Sequence, residues 1–148
     1  MNKKSLMIPA LFLYGSIAMA APCSYAIEGN DQMQFNTKEI KVDASCTEVE
    51  ITLKHAGKLP KQTMGHGFAL TKTADMQAVI DAGKPLGMDH SYLPKDDPRL
   101  IASIGLIGGG ETATVKFPSS KLEKGGDYTF FCPYPGHWTM MKGKLVFG

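Results

Sequence analysis

Ten residues near the C-terminus, Cys132-Pro133-Tyr134-Pro135-Gly136-His137-Trp138-Thr139-Met140-Met141, carry a thiol, an imidazole and two thioethers. These are soft or borderline donors, and their spacing lets a single turn wrap one metal ion. Pro133 and Pro135 stiffen that turn, and Gly136 lets the backbone bend just before His137. A second imidazole would complete a plane of two histidines and one cysteine with a distant methionine, the arrangement suited to a copper centre that passes electrons. His66, in Met64-Gly65-His66-Gly67, is the best candidate, because it follows a turn and opens an apolar strand. Spacing alone leaves both Met140 and Met141 within reach of such a site.

Two other chemistries use the same residue types. A hydrolytic or transfer enzyme would make Cys132 a nucleophile with His137 as base, but the neighbouring sequence offers no Asn or Asp to orient the imidazole. A copper or zinc storage and delivery protein would use the same ligands and would need an exchangeable metal. Colour separates it from an electron carrier. His55 closes an alternating strand and is expected to be a packed histidine off the metal, and His90, in Asp89-His90-Ser91, to be solvated.

The elements that must position these residues have a period of mostly two. Glu48 to Lys54 alternates with Val49, Ile51 and Leu53 facing in, a half-buried strand. Similar strands fit Ser24 to Ile27, Glu39 to Val42, Phe68 to Thr71, Thr112 to Phe117, Tyr128 to Cys132 and Lys142 to Phe147, with Gly- and Pro-rich turns between them. Seven or so short strands in one domain-sized chain imply an all-β Greek-key sandwich or barrel. One segment departs from that period. From Ala74 to Ala82, Met76, Val79 and Ile80 recur at helical spacing, with Thr73 available as N-cap and Gly83 as a stop, and a loop-rich flap follows from Lys84 to Arg99.

The first twenty residues belong to targeting. A basic start at Lys3 and Lys4, an apolar run from Leu6 to Ala20 and the small residues of Ala18-Met19-Ala20 form a secretory signal peptide, cleaved before Ala21. The run is shorter than the ~20 residues a spanning helix needs. The mature domain is then 21–148. Lys3 and Lys4 leave with the leader and no acidic residue does, so 16 basic residues become 14, against 14 acidic ones. A neutral chain is not one that binds nucleic acid by general charge. In an oxidising compartment Cys23 and Cys46 can pair, closing a loop of about 24 residues, and Cys132 is the odd cysteine left over.

These features together resemble the azurins, bacterial members of the cupredoxin family of blue-copper proteins. Beyond the Cys132 to Met141 loop, the likeness includes Gly29-Asn30-Asp31-Gln32-Met33-Gln34-Phe35-Asn36-Thr37, Leu59-Pro60-Lys61 to His66, Ala74-Asp75-Met76-Gln77, Leu106-Ile107-Gly108 and Phe130-Phe131-Cys132. It covers nearly all of 21–148. The resemblance implies a cupredoxin-like β-sandwich with one short helix in a flap, holding one copper ion that cycles between Cu(II) and Cu(I). It implies ligation by His66, Cys132 and His137, selects Met141 as the weak axial ligand, and leaves the Gly65 carbonyl as a weak contact on the opposite side. It also implies a non-enzymatic periplasmic electron carrier. Its partners would be redox proteins such as c-type cytochromes or periplasmic reductases, docking transiently on an apolar rim of Met33, Leu59, Met64, Pro135, Gly136 and Met140 around His137.

Three positions depart from the family pattern. Gly67 stands where azurins usually carry Asn, so a side-chain bond from there to the ligand loops is lost. Phe68 occupies the place of a buried Trp found in several azurins, and Lys84 replaces an apolar residue at the rim. The only Trp, Trp138, lies in the ligand loop. Its fluorescence is therefore expected to differ between the apo and Cu(II) forms; identical emission spectra would count against that placement.

Overall fold

The computed structural model describes Gly15 and residues 23–148; the signal peptide and its cleavage point at Ala20–Ala21 lie outside the described residues. Alternation sets the strands. In β3 (Glu48–His55), Val49, Ile51, Leu53 and His55 are buried while Glu48 and Lys54 face water. The other strands are β1 (Ser24–Gly29), β2 (Glu39–Val42), β4 (His66–Lys72), β5 (Ala102–Ile107), β6 (Thr112–Pro118), β7 (Tyr128–Phe131) and β8 (Lys142–Phe147). The sequence reading contains no strand at β5. There the alternating buried residues Ala102, Ile104 and Leu106 are separated by Ser103 and Gly105, and Ala, Ser and Gly carry little strand signal.

The strands form two sheets, β1-β3-β6 and β2-β8-β7-β4-β5. Consecutive strands change sheet at β1–β2 and again at β2–β3, so β1 pairs with β3 in parallel and β2 with β8 in parallel, while the remaining pairs are antiparallel. The main core lies between the sheets and includes Ile27, Phe35, Ile51, Leu53, Phe68, Leu70 and Phe130. Phe68 and Phe130 stack with ring centroids 5.8 Å apart. Phe68 thus fills the sandwich where several azurins use Trp.

A second, smaller core explains why β4 and β7 read as nearly continuous apolar runs. Phe68, Leu70 and Phe130 point into the sandwich, whereas Ala69 and Phe131 point outwards and are covered by Val79 and Ile80 of a helix and by Leu93 of the flap. That helix, α2 (Met76–Gly83), presents the expected stripe, with Met76 packed at its edge; a short turn α1 (Lys61–Met64) lies before β4. Thr73 does not cap it. A 3-10 turn, Thr73–Asp75, intervenes, and the Thr73 hydroxyl donates to the Asp127 carboxylate at 2.9 Å and lies 2.7 Å from the Thr129 hydroxyl. Gly83 is the last helical residue rather than the stop beyond it, and a Cβ there would collide with the Tyr92 carbonyl.

Cys23 and Cys46 form a disulfide that joins the start of β1 to the approach to β3. Opening a loop of this length is expected to lower the unfolding free energy of the apo-protein by about 3 kcal/mol. Urea unfolding of the Cys23→Ser/Cys46→Ser protein against the parent chain measures this directly. An unchanged midpoint would mean that the cross-link does not constrain the unfolded chain.

Candidate metal centre

β7 is antiparallel to both of its neighbours, β4 and β8. Its C-terminal end therefore lies beside the N-terminal ends of both. Cys132 follows Phe131 out of β7, His66 opens β4, and Met141 immediately precedes β8. The backbone N–H of Cys132 donates to the Met141 carbonyl at 3.0 Å, closing the loop between them into a hairpin-like strap. Gly136 turns that strap in the left-handed region, with φ of 83°, and the 3-10 turn His137–Thr139 follows. The His137 carbonyl then accepts the Met141 N–H at 2.7 Å.

The strap brings three side chains together. The Cys132 sulfur lies 3.6 Å from His137 Nδ1, 4.0 Å from His66 Nδ1 and 3.9 Å from the Gly65 carbonyl oxygen. The donor atoms of His66, Cys132 and His137 are all within 4.8 Å of one another. His66 and Cys132 are fully buried and His137 is 2% exposed. Met141 is also fully buried, beside the His66 ring: a Cβ built on Gly29 would sit 2.6 Å from His66 Cδ2 and 3.2 Å from the Met141 methyl. Met140 points the other way and is 53% exposed.

Each imidazole is oriented from behind. His66 Nε2 donates to the Asn30 carbonyl at 2.7 Å, which leaves the Nδ1 lone pair facing the sulfur. The Asn30 side chain in turn accepts the N–H groups of Gln32 and Gln34, holding this turn in shape. His55 stacks on His66 with centroids 4.4 Å apart. Its Nδ1 accepts the Gly57 N–H and its Nε2 donates to the Met64 carbonyl, so both nitrogens are engaged away from the cluster. On the other side Tyr134 stacks on His137 at 4.4 Å, and its hydroxyl donates to the Gln62 carbonyl at 2.6 Å. The ligand strap is thereby tied to the turn that precedes His66. The sequence reading does not identify Asn30 or Tyr134 as positioning residues; the Gly29-Asn30-Asp31 turn signal was the available hint for the first.

Burial also sets the charge state. It pushes the Cys132 thiol up to about 12, against the opposing effect of the Gly67 and Tyr134 backbone N–H groups that donate to the sulfur. It draws His137 down to about 4, with His66 and His55 adding to the effect. His66 is lowered as well, again first by burial, and the Asn30 carbonyl works in the opposite direction. At neutral pH the metal-free cluster is one thiol and two neutral imidazoles.

Gly67 sits in this cage. The register between β4 and β5 slips between His66 and Phe68, and a Cβ on Gly67 would meet the Ile104 carbonyl at 2.9 Å and the Pro133 ring at 3.1 Å. A side chain here would have to displace Pro133, which leads the ligand strap. The backbone N–H of this residue still reaches the sulfur.

A soft thiol and two imidazoles, converging with no carboxylate among them, suit copper or zinc rather than magnesium or calcium. The donors present therefore fit a copper ion. His90 is exposed on the flap, far in sequence from the cluster and outside it.

A family model described as copper binding proteins, plastocyanin/azurin family, matches residues 21–148. The azurin of Alcaligenes faecalis is 52% identical over 126 residues, covering 85% of this chain and 98% of its own. The azurin of Pseudomonas aeruginosa is 48% identical over 146 residues, covering 99% of each. A solved azurin from Methylomonas sp. strain J superimposes with a TM-score of 0.83 at 41% identity, over 86% of this chain and 99% of that one.

The neutral cluster makes a defined proton count. Zn(II) added to the apo-protein at pH 7 should displace close to one proton, the thiol's, because both imidazoles already present lone pairs. Apparent affinity should then rise about tenfold per pH unit around neutrality, and the dependence should steepen below about pH 4, where His137 also competes for protons. A pH-stat titration reads the count; release of two protons or none would contradict these charge states.

Proposed function

The chain belongs to the plastocyanin/azurin family of copper-binding proteins, and from that premise we propose that it is an exported one-electron carrier whose copper is held by His66, Cys132, His137 and Met141. The observation that carries the reading is the closed cluster itself, with two imidazole nitrogens 3.6 and 4.0 Å from a fully buried sulfur. Bound copper supplies the Cu(II)/Cu(I) couple, and with a thiolate ligand its centre alternates between +1 and neutral, a charge that an apolar pocket tolerates.

The protein's part is to keep the donors where they are. His66 is fixed between the Asn30 carbonyl and the His55 ring, His137 lies under Tyr134, and Cys132 is anchored by its own backbone bond to Met141. A ligand set held by a packed sandwich rearranges little when its charge changes, which lowers the barrier to electron exchange. Met141, buried next to His66, would add its thioether to the donors that hold the metal, and the Gly65 carbonyl, 3.9 Å from the Cys132 sulfur, would supply a further weak contact.

The same features weigh against the rival chemistries. A nucleophilic cysteine needs exposure and a lowered pKa, whereas Cys132 has neither. A delivery protein needs donors that a partner can reach, and here all three are covered.

Electrons would leave by the His137 edge. The exposed Pro135, Gly136 and Met140 flank it, and Leu59, 41% exposed, with the half-buried Met33 and Met64 extends the apolar rim. Such a rim supports brief docking of redox proteins such as c-type cytochromes or periplasmic reductases. The signal peptide read at 1–20 supports a periplasmic location.

Copper stoichiometry and the visible spectrum of residues 21–148 test the proposal together. One copper per chain is expected, with an intense band at about 600 nm that bleaches reversibly on reduction. Cys132→Ser should abolish the band, while Met141→Leu should keep it and shift the reduction potential. A colourless Cu(II)-loaded parent protein would overturn the assignment.

A further inference from the structure

Residues 21–148 carry equal numbers of basic and acidic side chains, yet the charges are not evenly placed. Lys38, Lys58, Lys61, Lys84 and Lys142 all lie at the metal end and all are exposed. Lys38 Nζ donates to the Met140 carbonyl at 2.7 Å, which fixes a positive charge against the ligand strap. Lys142 follows Met141 and, with Lys38, lines a surface groove of about 340 Å³ running down the outer face of β8. Lys84 lies 5.3 Å from the centroid of the Trp138 ring in the strap itself. Lys58 flanks Leu59, and Lys61 begins the turn leading to His66.

Little negative charge opposes them. Among the described residues only Lys84 of the five forms an ion pair, with Asp81 at 3.2 Å. Asp31 and Glu111 also lie at this end, and the exposed Asp89 stands on the flap three residues before Tyr92, whose ring packs on Tyr134 of the strap. Asp31 accepts the backbone N–H groups of Lys58 and Leu59, and Glu111 accepts that of Gly108. Elsewhere on the chain Lys41, Lys54, Lys116 and Lys144 each face a carboxylate at 3.0 to 3.7 Å, while Lys72, Lys95, Lys121 and Lys124 form no ion pair among the described residues. A surplus at one end of a neutral chain requires a deficit at the other.

We propose that this lysine ring around the apolar rim is an electrostatic docking surface for a redox protein whose own face combines an apolar centre with a carboxylate border. The inference rests on the electron-carrier reading above. Charge complementarity selects the partner: the field at the exit edge is positive although the molecule as a whole is neutral, so an acidic border is steered to the electron's exit and a basic one is turned away. The exposed Leu59 and Met140 form the short-lived contact once the partner arrives.

Small redox ions read this field without knowledge of the natural partner. In stopped flow, the reduced copper protein gives one electron to hexacyanoferrate(III), forming hexacyanoferrate(II), or to tris(phenanthroline)cobalt(III), forming the cobalt(II) complex. The hexacyanoferrate rate constant should fall about three- to tenfold as ionic strength rises from about 10 to about 200 mM, and the cobalt rate constant should rise. Poly-glutamate at low salt should slow hexacyanoferrate by a similar factor. A Lys38→Gln/Lys61→Gln/Lys142→Gln protein should keep its blue band and lose most of the hexacyanoferrate salt dependence. A flat salt dependence in the parent protein, or one that survives in the triple variant, would overturn the proposal. Failure of the carrier reading itself would show earlier and differently, as a protein with no blue band to bleach.

Discussion

β7 is hydrogen-bonded along both edges, to β4 and to β8, and covered on both faces, by the opposite sheet and by α2 with the flap. A strand fixed on four sides has no freedom of register, because a slip of one residue would exchange Phe130 and Phe131 between two cores of different shape. The position of Cys132 just past its end is thus set by packing far more extensive than the site. The antiparallel partners then place His66 and Met141 at the same level. The centre is built where three strand ends meet, and the sandwich supplies the rigidity.

The second constraint is desolvation. Three polar donors are buried here without an opposing carboxylate, and burial resolves the problem by keeping them uncharged, with the thiol raised to about 12 and His137 lowered to about 4. Backbone groups do the orienting: carbonyls of Asn30, Met64 and Gln62 take up His66, His55 and Tyr134, and N–H groups of Gly67 and Tyr134 reach the sulfur. Dipoles fixed by the fold can face a metal-ligand set without adding net charge. Gly67 belongs to this scheme, since its backbone contributes and the space beside it is taken by Pro133. The charged residues stay outside the cage.

Much of this was legible along the chain. The alternation at Val49, Ile51 and Leu53 and the helical stripe of Met76, Val79 and Ile80 depend on local period, and the pairing of Cys23 with Cys46 follows once Cys132 is assigned to the ligand strap. β5 was not legible, because the half-buried positions between its buried ones are filled by Ser103 and Gly105. Thr73 satisfies the pattern for a helix cap, but the carboxylate of Asp127 and the hydroxyl of Thr129 lie within its reach and a tertiary hydrogen bond replaces the local one. The roles of Asn30 and Gln62 are carried by main-chain carbonyls, which every residue type has.

By itself, then, the sequence determined the donor types, their crowding within one strap, the strand-rich class and the zero net charge of 21–148. Those properties are sums or short-range patterns, and they hold whatever the fold. The tertiary structure decided which distant histidine meets the strap, with His66 joining from a segment 66 residues away from Cys132 while His55 turns both nitrogens elsewhere. It also decided that Met141 is buried and Met140 exposed, and that five exposed lysines stand at the end that holds the cluster. Each of these is a relation between segments remote in the chain, fixed by sheet register and by the direction a side chain takes when a strand is covered on one face or on two.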